Sequence, residues 1–405
     1  MQKMQDILEG ARETVIHWQR EMTARPALGP ESDGQGEAEK AAWLLGELRR
    51  MGFLDIQEYP APDPRVPGGL RPNICARIPG KSSKTLWVIG HMDVVPPGNL
   101  QLWHSPPYTL KVDGDNITGR GVEDNQQAIA TGMLVAKALL EGKGTPDLGF
   151  GLLLVSDEET GMTLGLPHVL DTAPDLIGPE DIVLVPDAGS ATGDFVEVAE
   201  KSALWLKFTV TGRQCHASSP DKGLNSLVVA AEAILALREL HRIFPQNDPL
   251  FRPAWSTFVP SKKEANVENI NTMPGKDVFY MDCRVLPCYP LDEVEAACHS
   301  LMQAVAASTG ATILVEVVHR AASLGQTDPG SPQAMRLFNS LRKVRGIEGR
   351  AFGAGGQTVA LVLRNRNLPA LVWSTIFSNP HVPDEKSSIT NTINDAKVVL
   401  DMLFE

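Results

Sequence analysis

Cysteine is scarce in this chain: five residues (Cys75, Cys215, Cys283, Cys288 and Cys298), an odd number with no Cys-x-x-Cys pair. That excludes a disulfide framework as the organising device and fits a reducing compartment. Positive charge is also short, since 37 Lys and Arg face 49 Asp and Glu for a net charge of -12. A balance of that sign argues against nucleic acid or an anionic membrane as the main partner, and it leaves the charge of a substrate open. No apolar run approaches the ~20 residues that cross a bilayer. Residues 1–20 read as a polar amphipathic helix, not a signal peptide. Internal repeats and low-complexity segments are missing too. These absences together lead us to expect a soluble, cytoplasmic protein.

What is present is a chain of 405 residues, 43% hydrophobic and 21% charged, long enough for two or three domains with a sizeable core. Residues 86–90 (Leu-Trp-Val-Ile-Gly) are an apolar run that passes into His91-Met92-Asp93 and ends before Pro96. Such a run reads as a buried strand of a parallel sheet. Its carboxyl end is where ligands sit in α/β folds, and two polar side chains buried there cost several kcal/mol unless each finds a partner. His91 and Asp93, two residues apart, point the same way.

Helical spacing recurs over residues 4–21, 37–51 and 127–141, and strands are expected at 55–59, 73–78, 85–90, 148–155 and 182–185. Strands alternating with helices imply a parallel or mixed sheet covered on both faces. After about residue 200 the pattern changes to β-α-β-β-α-β: strands 203–211, 255–259, 278–286 and 312–318, with helices 226–244 and 291–308. That is the ferredoxin-like order. Residues 331–343, the Gly-rich 353–356, a strand at 370–373 and a helix at 391–404 then resume the first pattern. The expected domains are 1–201, an inserted 202–320, and 321–405.

Polar residues gather where the apolar strands end. His91 and Asp93 follow one strand and Asp124 follows the turn Gly119-Arg120-Gly121-Val122-Glu123. Glu158 and Glu159 follow a second strand, and Asp187 a third. Acids converging on one sheet edge repel unless cations hold them, and only a few Lys or Arg, such as Arg120 and Lys201, flank these motifs in sequence. A metal is the simpler counter-charge. Imidazole and carboxylate donors without cysteine suit zinc or a similar divalent ion, and there are too many for one tetrahedral site. This favours two metals sharing a carboxylate. His104 and His168 read as loop residues. Cys215 and His216, adjacent in a strand, face opposite ways and do not form a nucleophile pair.

The ordered series of motifs resembles the co-catalytic zinc hydrolases that include acetylornithine deacetylase, succinyl-diaminopimelate desuccinylase, aminoacylase, glutamate carboxypeptidase and carnosinase-type dipeptidases. The resemblance covers nearly the whole chain. It implies an α/β zinc-peptidase-like catalytic domain with an inserted ferredoxin-like α+β lid that also dimerises. It implies that His91 and Asp187 bind the first metal, Glu159 and His381 (in Asn-Pro-His-Val-Pro-Asp-Glu) the second, and that Asp124 bridges both. Asp93 would orient His91 and Glu158 would be the general base. His216, in Cys-His-Ala-Ser, would polarise the substrate carbonyl. Asn271, Arg284, Gly355 and Gly356 resemble substrate-binding motifs.

The implied cofactors are two divalent ions, zinc foremost with cobalt or manganese as alternatives. The implied activity is hydrolysis of the amide bond of an N-acyl amino acid by a homodimer, with a metallo-dipeptidase or carboxypeptidase as the alternative. Two departures stand out. Asn125-Gln126-Gln127 follows Asp124 where many relatives carry Lys-Gly, and Asp187 stands where the deacetylase and desuccinylase branch carries Glu. An Asp there is similar to the aminopeptidase and dipeptidase branch.

Overall fold

Thr85–His91 is a central strand of an eight-stranded mixed sheet. In the computed structural model, which describes residues 1–404, it runs parallel to Gly149–Val155 on one side and Ile182–Ser190 on the other. The full order is Asp55–Glu58, Ile74–Ile78, Gly149–Val155, Thr85–His91, Ile182–Ser190, Ala370–Thr375, Phe195–Glu200, Arg350–Ala354. Parallel neighbours at the centre explain the near-continuous apolar sequence of these strands, because both faces are covered. Trp87 and Ile89 turn to one face, among Leu166, Val169, Val359 and Leu363. The other face meets the helix Gln126–Gly142, buried along most of its length. That helix comes in closely at Gly132, where a Cβ would stand 2.6 Å from Leu152.

Chain contacts divide the molecule into two units. The first comprises Met1–Val198, Gln326–Phe352 and the chain from Thr358; the second comprises Ala199–Gly325 with Gly353–Gln357. The second unit is built on a four-stranded antiparallel sheet ordered Thr257–Lys263, Lys276–Val285, Ser202–Thr211, Thr312–Ala321. The helices Ser226–Ala236 and Leu291–Thr309 cover one face, over a core that includes Leu206, Phe208, Val229, Phe279, Val294 and Met302. This is the ferredoxin-like arrangement.

Three local expectations fail. His168, read as a loop residue, lies in the helix Leu166–Thr172. The helix read over 4–21 is two helices, Gln2–Glu9 and Arg12–Thr23, because the Gly10 backbone N–H closes the first on the Asp6 carbonyl and the Ala11 N–H turns back to the Leu8 carbonyl, both at 3.1 Å. The third strand does not break at Pro186 but continues to Ser190, so Asp187 sits within a strand. Pro186 is tolerated because pairing with Thr85–His91 has already ended at Val88↔Leu184. Among the described residues, no helix is long and apolar enough to cross a membrane.

Candidate active site and metal centre

His91 closes the central strand with its side chain buried, and its Nε2 lies 3.0 Å from Asp124 Oδ1 and 3.5 Å from Asp187 Oδ1. The other oxygen of Asp124, Oδ2, lies 3.2 Å from His381 Nε2, which in turn is 3.1 Å from Glu159 Oε2. Two triads therefore share one carboxylate: His91, Asp124 and Asp187, and Asp124, Glu159 and His381. Within each, one donor atom per residue lies within 4.8 Å of the others. Glu158 belongs to neither triad, yet its Oε2 is 3.9 Å from His91 Nε2.

Neighbouring loops hold these side chains in place. Asp93 accepts from the backbone N–H of Glu158 at 3.1 Å and of Glu159 at 2.9 Å, and its Oδ1 is 3.4 Å from His91 Nδ1. Glu385 accepts from the backbone N–H groups of Gly121, Glu123 and Asp124 at 2.9–3.0 Å and pairs with Arg120 at 2.7 Å. Glu123 accepts from the backbone N–H of Phe377 at 2.6 Å and of Asn379 at 2.8 Å, fixing the loop that carries His381. His381 itself adopts φ 63°, a left-handed backbone uncommon outside glycine. The Asp124–Asn125 peptide bond is cis.

Burial lowers the pKa of His91, but its bonds to Asp124, Asp187 and Asp93 outweigh that and raise it well above the ordinary histidine value. Asp124 and Glu159 raise His381 to about 10. Burial lifts Glu159 to about 7 and, with Asp187, Glu159 and Asp124 nearby, lifts Glu158 well above the usual carboxylate range. In Asp124 burial is overcome by the two histidines, which hold it well below that range.

The donor set fits divalent cations. The charged partners these acids meet are histidines; Arg120 is spent on Glu385 and the buried Lys40 donates to the Met92 carbonyl at 2.7 Å. Two imidazoles and three carboxylates in two triads that share one acid, with no thiolate, match hard-to-borderline ions.

Of the residues singled out in the sequence, His91, Asp93, Asp124, Glu158, Glu159, Asp187 and His381 come together in the first unit. His216, Asn271, Arg284, Gly355 and Gly356 belong to the second. There Cys215–His216 pairs with Thr272–Met273, and the Asn271 carbonyl accepts from Ala217 N–H at 2.9 Å. Arg284 pairs with Asp282 at 2.8 Å and donates to the Gly355 carbonyl at 3.3 Å. A Cβ at Gly355 or Gly356 would meet nothing within 4 Å, so open space lies beside both. Sequence reasoning missed Glu123 and Glu385, and met Asn125 only as a departure from relatives. Glu123 precedes Asp124, and Glu385 ends the motif that holds His381, so only adjacency to a quoted motif could have flagged them.

A family model described as Peptidase family M20/M25/M40 matches residues 87–405. The chain is 34% identical over 398 residues to an uncharacterized metallohydrolase of Methanococcus maripaludis, covering 93% of this chain and 95% of that one. It is 27% identical over 304 residues to a succinyl-diaminopimelate desuccinylase of a Sulfurovum species, covering 74% and 78%. The fold superposes on human carnosine dipeptidase 1 with a TM-score of 0.77 at 13% identity, over 99% of this chain and 98% of that structure. The site's chemistry and the length of the match lead to one assignment: the chain belongs to peptidase family M20/M25/M40, whose members are metal-dependent hydrolases of amide and peptide bonds.

Proposed function

We propose that this protein hydrolyses the amide bond of a small N-acyl amino acid with two divalent cations, held by His91, Asp124 and Asp187 and by Asp124, Glu159 and His381. The observation that carries the reading is the pair of triads on the two oxygens of Asp124, with Glu158 beside them and outside both. The chemistry such cations supply when bound is Lewis acidity toward a carbonyl oxygen and a lowered pKa for water. Glu158 then acts as the general base. It takes a proton from the attacking water as the C–O bond forms, and returns it to the departing nitrogen as the C–N bond breaks.

His216 is assigned to the substrate carbonyl. The Ser218 backbone N–H donates to His216 Nδ1 at 3.1 Å, so Nδ1 is an acceptor and the neutral ring carries its proton on Nε2. Nε2–H is the kind of donor that stabilises a developing oxyanion. Asn271, Arg284, Gly355 and Gly356 are assigned to the substrate's carboxylate. The Arg284–Gly355 bond, which gathers two of them beside open space, supports this. The desuccinylase relative supports the acyl-amino-acid substrate. Asp187 favours a second reading, a dipeptidase, since an Asp at that position is similar to the dipeptidase branch.

Zinc-loaded protein offered N-acetylornithine, N-succinyl-diaminopimelate and a dipeptide panel separates the two. Turnover of an acyl amino acid is the expected result, and turnover of dipeptides alone sinks the first reading. Glu158→Gln should lower kcat by about 10³-fold while two cations remain bound; unchanged kcat removes Glu158 as the base.

A further inference from the structure

Asn125, the first residue of the Asn-Gln-Gln run, is buried and lies between the two strands that carry His91 and Asp187. Thr85–His91 and Ile182–Ser190 pair only at Leu86↔Ile182, Trp87↔Val183 and Val88↔Leu184. Beyond Val88 the ladder stops, three positions short of His91. The Asn125 side chain spans the gap. Its Oδ1 accepts from the His91 backbone N–H at 3.2 Å on one strand. Its Nδ2 donates to the Pro186 carbonyl at 3.2 Å and to Asp187 Oδ1 at 2.5 Å on the other.

Pro186 has no N–H to offer across the gap, and a buried backbone N–H or C=O left unpaired is costly. A carboxamide meets both demands at once, because it carries one acceptor and two donors in a fixed plane. A carboxylate has no donor for Pro186 or Asp187, and a lysine has no acceptor for His91. Gly90 makes the room: a Cβ there would stand 2.9 Å from Asn125 Oδ1. The glycine before His91 and the asparagine after Asp124 are thus two halves of one fit.

We infer that Asn125 is a positioning residue for the His91–Asp124–Asp187 half-site. It splices the diverging strands and holds Asp187 by Oδ1, the oxygen that lies 3.5 Å from His91 Nε2. The inference rests on the two-cation reading above and deepens it. It predicts that Asn125 governs one cation position and leaves the Glu159–His381 position alone.

The test is equilibrium zinc binding by calorimetry and dialysis on wild-type protein, Asn125→Ser, Asp187→Ala and the double variant, with the cobalt(II) absorption spectrum as a second readout. Ser reaches one strand but not both. The expected result is two zinc ions in the wild type, and in Asn125→Ser one unchanged site and one weakened at least tenfold. The cobalt spectrum should change for one site only, and the double variant should bind no more weakly than Asp187→Ala. Wild-type protein that binds fewer than two ions sinks the two-cation reading itself. Two ions bound by Asn125→Ser with wild-type affinity, equal loss at both sites, or penalties that add in the double variant overturn the role of Asn125. Should Asn125→Ser fail to fold, Asn125→Ala is measured in its place. Loss of fold in both also overturns the inference, because Asn125 would then serve the fold and not the site.

Discussion

Asp93 divides its two oxygens between a ligand and a loop. One lies beside His91 Nδ1 and also receives the Glu158 N–H, and the other receives the Glu159 N–H. His91 Nδ1 also meets the Asp93 main-chain carbonyl at 3.1 Å, so one residue sets the ring of His91 and the start of the segment that carries the proposed base. The two-residue spacing from His91 was legible as a pair at the strand end, although the strand itself stops at His91. The grip on residues 158 and 159 was not, because it joins groups 65 and 66 positions apart. Behind Asp93 lies Lys40, fully buried with its Nζ on the Met92 carbonyl. Burial pulls it down to about 8, against the opposing pull of Asp93, Glu37 and Glu385.

The unfolded chain regains the ordinary lysine value, so between pH 8 and about 10.5 it binds more protons than the folded one, and stability rises with pH across that window. The full rise is on the order of 3 kcal/mol. Thermal melts of cation-free protein should therefore show wild type gaining on Lys40→Met as pH goes from 8 to 10. Parallel pH profiles for the two proteins rule this out.

At the scale of elements, the site rests on three loops that reach it from separate strands and are tied to one another by acids. Glu385 holds residues 120–124, and Glu123 within that loop holds residues 377–379. The strand ends themselves could be read from sequence, because an apolar run that stops at His, Asp or Glu is an uncommon pattern with few physical causes. The clamps could not, since a glutamate that caps N–H groups about 260 residues away looks like any surface acid. The strand Phe195–Glu200 was unreadable for a related reason: Glu197 and Glu200 are buried, yet in sequence they break the apolar run.

The same wiring makes Glu385 a wider determinant than Asn125. Glu385→Ala leaves Arg120 buried without its carboxylate, which costs about 3–5 kcal/mol, and releases the loop that supplies the shared Asp124. Zinc titration should show both sites weakened together with a lower melting temperature. Loss confined to one site would show that Asp124 is held by other means.

For the whole molecule, the charge balance and the surface of the second unit bear on assembly. The helix Ser226–Ala236 buries Val229, Ala230 and Ala233 against the sheet, and its other side exposes apolar residues around Glu232. Leu227, Val228 and Leu235 are 42%, 51% and 60% exposed, and Ile243 beyond them is 47% exposed. Clustered apolar side chains exposed on that side are the kind of patch a partner surface covers. We propose that a second copy of this chain covers it, as homodimerisation through the lid in the resemblance implies. A stable interface takes about 800 Å² from each partner, more than one face of an 11-residue helix supplies, so surface around the helix must contribute too. Two copies each carrying a net charge of -12 repel, and added salt screens that repulsion while leaving apolar contact intact. Light scattering at micromolar concentration should therefore give a dimer whose dissociation constant falls as salt is raised from about 0.05 to 0.3 M, a range over which the Debye length roughly halves. The paired substitution Val228→Glu and Leu235→Glu should give a monomer with an unchanged melting temperature in dilute solution, because both side chains already face water in the single chain. A wild-type monomer across that salt range, or a dimer that survives both glutamates, would place the contact elsewhere or remove it.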